Sequence, residues 1–253
     1  MSYDFLDYER PLLCAMIHPQ NPTDAIQKIK DSLADGAEAF GFQMEKLEHE
    51  YRNETTIRQI FEECEGRPIY VTSYRGGKNV GFTDEQCAEF LLFTLDCGAT
   101  LCDVMGDMFD RSPYYELTKD PEAIRKQKEL IDEIHRRGGK VLMSSHTHKD
   151  LSIEESLMIA KEQASRGADV LKIVNKTDTT ASLPKHIEAI QTILSQTDKK
   201  LLYLLGGEGT LIRYIGANFG VCMYLCVAYH GPLDTKGQPL LKQAKAIRDN
   251  ITF

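Results

Sequence analysis

The chain has no apolar run approaching the roughly 20 residues that a membrane-spanning helix needs. Its longest runs, around Leu201 to Leu205 and Val221 to Tyr229, stop far short, so we expect no membrane span. Positive charge is also scarce: 30 Lys+Arg stand against 38 Asp+Glu, a formal charge of -8. That balance argues against a broad surface for nucleic acid or anionic lipid, while a few arginines suffice to hold a small anion. The opening MSYDFLDYERPLLCAMIHP has acidic residues before its apolar run and neither the basic segment nor the cleavage site of a secretory signal, so we expect a cytoplasmic protein. Seven cysteines, an odd number scattered through apolar segments at 14, 64, 87, 97, 102, 222 and 226, read as reduced and mostly buried thiols rather than a disulfide framework. No Pro- or Ser-rich linker and no low-complexity tract breaks the 253 residues, which leaves a second domain no place to begin.

What is present is a repeat of one design. With 42% hydrophobic residues the chain can fill a substantial core. Eight short apolar runs recur at 11–17, 37–43, 68–74, 100–106, 140–146, 170–176, 200–206 and 221–229, each long enough for a strand and each followed by a helix-like pattern. Asp24 to Asp35 places Ala25, Ile26, Ile29 and Leu33 on one stripe before Gly36. Pro121 to Arg137 begins with a first-turn proline and ends at Gly138-Gly139, and a third helix runs from Ile153 to about Arg166 before Gly167. The phrases DGAEAF, CGATLC, GGKVLM and RGADVL each spell helix, glycine stop, short turn and buried strand. The expected fold is α/β, a single (β/α)8 barrel over residues 1–253, and in such barrels reacting groups stand at the C-terminal ends of strands.

Three positions there carry chemistry. Lys172 lies among Val170, Leu171, Ile173 and Val174 in the sixth strand. Burial disfavours an ammonium and leaves an amine able to condense with a ketone, although an isolated lysine also snorkels to the rim. His146 closes the fifth strand in VLMSSHTH, suited to moving a proton at a carbon beside an iminium. Arg213 follows the glycine-rich turn of LLGGEGTLIR, where backbone N–H groups and a guanidinium can receive a carboxylate.

Together these segments resemble the type I 3-dehydroquinate dehydratases. VLMSSH looks like the family's Ser-x-His strand end, GADVLKI like its Schiff-base lysine segment, LGGEGTLIR like its Gly-x-x-Gly-x-x-x-Arg segment, and FGVCMYLC with DTKGQ like its last strand and substrate loop. The matches keep their order over about residues 10 to 250. The resemblance implies iminium formation between Lys172 and a ring ketone, α-proton removal by His146 and loss of a β-hydroxyl as water. It also implies that Arg213 holds the substrate carboxylate and Gln238 a ring hydroxyl, in a homodimer that uses no cofactor. The expected partner is a small carboxylated substrate, with 3-dehydroquinate or a close analogue leading. The alternatives are an aldolase-like lyase using the same lysine and a non-catalytic ligand-binding descendant.

The chain departs from that pattern at several places. Gly41-Phe42-Gln43 stands where the family has Glu-x-Arg, leaving Gln43 as the polar group of that strand end. Where the third-strand loop offers an arginine and then a glutamate that orients the histidine, an ungapped reading gives Tyr74 and Lys78, and a one-residue shift supplies Arg75 but no glutamate. Asp103-Val104-Met105 keeps the first of two acids, and Asp234 replaces the substrate-loop serine. Glu45 is a candidate substitute for the orienting acid, within an otherwise solvated charged stretch. His146 and His148 form His-x-His, a metal-binding spacing in barrel hydrolases, but those carry it on the first strand, which here ends in Ile17-His18-Pro19. Cys222 and Cys226 read as core, and we expect no metal.

Overall fold

In a computed structural model, which describes residues 4–232 and 234–251, the eight apolar runs are parallel strands covered on the outside by helices. The strands are β1 (Leu12–Ile17), β2 (Ala39–Gln43), β3 (Ile69–Thr72), β4 (Leu101–Met105), β5 (Lys140–His146), β6 (Val170–Thr177), β7 (Lys200–Gly207) and β8 (Met223–Cys226). Between and after them run α1 (Pro22–Ala34), α2 (Glu54–Glu62), α3 (Asp84–Asp96), α4 (Pro121–Arg136), α5 (Ile153–Ser165), α6 (Leu183–Gln196), the single turn α7 (Ile212–Ile215) and α8 (Leu241–Asp249). The spatial order β7-β6-β5-β4-β3-β2-β1-β8 follows the chain, and the ring closes between β7 and β8 through one bridge, Leu201 to Val221, with Cys222 N–H donating to Leu201 O at 2.8 Å. This is a (β/α)8 barrel. Among the described residues no helix is long and apolar enough to cross a membrane.

The local signals explain the elements. Prolines stand in the first turns of α1, α4 and α6, where a missing N–H costs nothing. Thr83 with Gln86, and Ser152 with Glu155, close reciprocal capping boxes on α3 and α5. Gly36 and Gly167 follow their helices at φ of 93° and 106°, a conformation that side chains resist. All seven cysteines are free; six are buried and Cys222 is partly so.

The last strand is shorter than its apolar run. The run reads as strand from Val221 to Tyr229, yet β8 covers only Met223–Cys226 and leaves Cys222 outside. The chain turns after Cys226 because Val227 bonds the start of α8 instead: its N–H donates to Pro239 O at 3.0 Å and its carbonyl accepts from Leu241 N–H at 2.8 Å.

Strand alternation decides what enters the barrel. Register pairs Met16 with Gly41 and Gly41 with Tyr70, then Asp103 with Leu142, Met105 with Ser144, and Ser144 with Lys172. A Cβ built on Gly41 would lie 2.3 Å from Met16 Sδ and 2.9 Å from Tyr70 Cδ1, so the glycine makes room for both.

The segment 106–120 between β4 and α4 is pinned at its neck. Arg166, at the end of α5 and almost fully buried, donates to Gly106 O at 2.8 Å, to Gln127 Oε1 at 2.8 Å and to Thr118 O at 2.7 Å. Thr118 N–H in turn donates to Gly106 O at 3.1 Å. Gly106 O keeps Thr118 N–H, but Thr118 O and Gln127 Oε1 would lose the guanidinium as donor, so Arg166→Met should lower unfolding stability by about 2–4 kcal/mol, read as a shifted midpoint in urea denaturation. An unchanged midpoint would show that the neck holds without it.

Candidate active site

Lys172 does not rest in the purely apolar wall that its neighbours in sequence suggest. Its Nζ meets three oxygens: Tyr74 Oη at 2.7 Å, Tyr70 Oη at 3.0 Å and Asp103 Oδ2 at 3.0 Å. The two tyrosines stand on β3 and just beyond it, four residues apart and so on one side of the strand, while Asp103 comes from β4. Both phenols donate to Asp103 Oδ2, Tyr74 at 2.6 Å, and Ser144 Oγ donates to Oδ1. Lys172, about 4% exposed, is buried with Tyr70, Asp103 and Ser144, and Tyr74 is partly exposed above them.

Burial drives both phenols well above their ordinary pKa, with the Asp103 charge acting in the same direction, so Tyr70 and Tyr74 stay neutral donors. For Asp103 burial works to raise the pKa, but the charges of Lys172 and then His146, with hydrogen bonds from Ser144 and Tyr70, outweigh it and leave the carboxyl below its usual range.

His146 ends β5 beside this cluster, its ring meeting that of Tyr74 edge-on at 5.3 Å between centroids. Its orienting acid is Glu116. The carboxylate of Glu116 accepts from the His146 backbone N–H and from Nδ1 at 2.6 Å, so that whenever the ring is neutral its lone pair is on Nε2. Glu116 reaches the ring from segment 106–120 because Tyr115 and Glu116 both take left-handed backbone, φ 62° and 48°. Such conformations cost on the order of 1–3 kcal/mol each and persist only where the surroundings hold them. The surroundings here are tight: Ser145 Oγ donates to Glu116 O, and a Cβ on Gly106 would lie 2.6 Å from that same carbonyl.

Glu45 serves elsewhere. It is buried, accepts from Thr72 Oγ1 at 2.7 Å, and burial lifts its pKa against that hydrogen bond. Glu116 and Tyr70 were not singled out from sequence, and Tyr74 entered only as the residue standing where the family has an arginine. Segment 106–120 has no period to read, whereas the spacing of Tyr70, Thr72 and Tyr74 on one strand face was a usable signal.

A cleft of about 670 Å³ opens over the C-terminal ends of the strands, and His146, Tyr74, Gln43, Met105, Arg75 and Glu116 are on its wall. Lys172 lies beneath Tyr74 and not on that wall. Arg75 is at the cleft but engaged: it forms a two-point pair with Asp84 at 2.7 Å each and donates to Asp107 Oδ1 and O at 2.7 and 2.8 Å. Asp234 is likewise committed, one oxygen against Nδ1 of buried His18 and the other accepting from Gly231 N–H at 2.5 Å. Burial, opposed by Asp234, holds His18 below its ordinary pKa.

Arg213 and Gln238 form a separate group where the β7 and β8 ends meet. Arg213 donates from Nε to Leu205 O at 2.7 Å and pairs with no carboxylate among the described residues. Burial alone draws its pKa down to about 10, still charged at neutral pH. Gln238 is buried with Oε1 lacking a hydrogen-bond partner among the described residues, and a Cβ on the adjacent Gly237 would lie 3.7 Å from Arg213 Nε. The guanidinium thus stands desolvated and without a counter-charge among the described residues, close to an amide carbonyl that still wants a donor. Among the described residues no three His, Cys, Asp or Glu side chains are grouped to hold a metal ion, His146 and His148 included.

A parallel (β/α)8 barrel with a lysine and a carboxylate paired inside it, beside a histidine–glutamate pair at the end of β5, places the chain among barrels with a candidate site at the C-terminal face. Within that class the chain belongs to the type I 3-dehydroquinase family, whose model matches residues 13–251. Among solved structures it resembles the 3-dehydroquinate dehydratase of Geobacillus kaustophilus HTA426, 13% identical, with 95% of this chain and 91% of that one aligned at a TM-score of 0.81. The type I 3-dehydroquinate dehydratase of Clostridium difficile is 18% identical over 96% and 92% at 0.79, and the 3-dehydroquinate dehydratase of Enterococcus faecalis 16% over 95% and 93% at 0.74. At such identities these likenesses speak for the fold. No curated protein sequence matches the chain.

Removing one member of a buried ion pair strands the other, at a cost of about 3–5 kcal/mol. Asp103→Asn should lose about that much stability in urea denaturation, and adding Lys172→Met should restore most of it; additive losses in the double variant would break the assignment. The pH sign follows from the depressed carboxyl. Its stabilising contribution is full above the unfolded value near 3.8 and is lost only as pH falls through the lower folded value. The gap between Asp103→Asn and the unaltered protein should therefore hold steady from pH 7 to about pH 4.

Proposed function

We propose that the chain is a Schiff-base dehydratase acting on a carboxylated β-hydroxy ketone, with Lys172 as nucleophile and His146 as the base. The observation that carries this reading is the continuous set of contacts from Lys172 Nζ through Tyr74 to the His146 ring, with Glu116 on Nδ1. An iminium on Lys172 draws electrons from the neighbouring carbon and acidifies its proton. The free Nε2 of His146 takes that proton and returns one to the departing hydroxyl, while Glu116 stabilises the imidazolium formed between the two transfers. Arg213 offers its unpaired charge to the substrate carboxylate, and Gln238 its free carbonyl to a hydroxyl.

The same geometry argues for a substrate poorer in hydroxyls than 3-dehydroquinate. Tyr70 and Met16 occupy the space that a side chain at position 41 would need, Met105 faces the cleft where a second acid is expected, and Arg75 has given its donors to Asp84 and Asp107. A site that has lost its partners for hydroxyl groups loses selectivity for them by orders of magnitude.

Three measurements test the reading. Sodium borohydride added with 3-dehydroquinate, or with simpler keto acids, should fix an adduct on Lys172, and Lys172→Ala should abolish it; an adduct at Lys176 or Lys78 would overturn the assignment. Dehydroshikimate formation, followed by its enone absorbance, should give kcat/KM below about 10⁴ M⁻¹s⁻¹, the lower end of ordinary enzymes. A higher value would make this a dehydroquinate dehydratase with a rebuilt pocket. Product analysis of any keto acid turned over separates water loss from carbon–carbon cleavage.

A further inference from the structure

We propose that Tyr74 is a catalytic residue: the phenol that carries protons between Lys172 and the ketone oxygen while the imine forms. The proposal rests on the Schiff-base reading above and goes one step further into it. Tyr74 touches three parties at once. Its oxygen accepts from Lys172 Nζ at 2.7 Å, its hydroxyl donates to Asp103 Oδ2 at 2.6 Å, and its ring is part of the cleft wall. Tyr70 makes the same two bonds but is fully buried behind them, so of the two phenols only Tyr74 faces an incoming carbonyl. The His146 ring meets the Tyr74 ring edge-on, with Nδ1 already committed to Glu116.

The chemistry requires such a group. Ammonium plus ketone gives iminium plus water, which conserves charge and hydrogen, but two N–H protons must reach the oxygen. Asp103 Oδ2, 3.0 Å from Nζ, takes the first proton and frees the nitrogen lone pair. As the N–C bond forms, Tyr74 gives its hydroxyl proton to the ketone oxygen and is recharged from the now cationic nitrogen, leaving a neutral carbinolamine. The proton held on Asp103 then passes through Tyr74 to the carbinolamine hydroxyl. The C–O bond breaks, water leaves, and Asp103 is again a carboxylate beside the iminium. Tyr74 ends as it began, and His146 keeps its lone pair for the α-proton.

The test uses glyoxylate, a small carbonyl acid, with sodium cyanoborohydride on the intact protein, and follows carboxymethylation of Lys172 by peptide mass. Wild type should be labelled at Lys172. Tyr74→Phe, which keeps the ring and loses only the hydroxyl, should label on the order of 10²-fold more slowly, the usual worth of a placed general acid. Tyr74→Ala separates relay from cover: it should also be slow, and formic acid in the buffer should restore part of its rate. Melting curves on each variant report the fold. Labelling of Tyr74→Phe at the wild-type rate would overturn the relay while leaving the Schiff base standing, and faster labelling of Tyr74→Ala would make Tyr74 a lid only. Failure of wild type to label at Lys172 would instead remove the Schiff-base reading, and the relay with it.

Discussion

The ion pair of Lys172 and Asp103 inside the barrel is the constraint that the surrounding residues satisfy. An ammonium taken out of water costs several kcal/mol unless its protons and its counter-charge are fully met. Here every donor direction is used, on Asp103, Tyr70 and Tyr74, and the carboxylate is completed by Ser144. The neighbouring strands are cut to fit: glycine at position 41 admits the Tyr70 ring, and Met16 fills what remains. A lysine intended only for structure gains little from such an arrangement, since an apolar residue of its size fills a core more cheaply.

Much of this was legible in the chain. Eight apolar runs with glycine stops specified the barrel, and the position of Lys172, His146 and Arg213 at or near strand ends marked them before any geometry was known. Two signals were weaker. The apolar run after Val221 overstated β8, because the same residues serve either a strand or a turn that bonds the start of α8. The spacing of Tyr70, Thr72 and Tyr74 puts three hydroxyls on one strand face, but what those hydroxyls meet is set only once β3, β4 and β6 stand side by side.

Glu116 was not legible at all. Its approach to His146 depends on two successive left-handed residues and on Arg166 gripping both ends of the segment from 60 and 48 positions away in sequence. No periodicity records such an arrangement. It also shows that the acid orienting a histidine need not come from the strand loop where the family resemblance places it. The requirement is a carboxylate at the imidazole, and a different loop meets it here. Arg75 and Asp234 make the converse point, because residues at plausible positions are held by Asp84, Asp107 and His18.

The barrel is not uniformly fastened. β6 and β7 share a ladder from Val170–Lys200 to Thr177–Gly207, whereas β7 and β8 meet at a single bridge near their N-terminal ends. Toward the mouth this seam is held by side chains and loops rather than by paired backbone, and Arg213 and Gln238 stand there, on the segments that follow β7 and β8 respectively. A ligand that met the Arg213 guanidinium on one side of this seam and the Gln238 carbonyl on the other would tie β7 to β8 beyond their single bridge, fastening the cylinder as it bound.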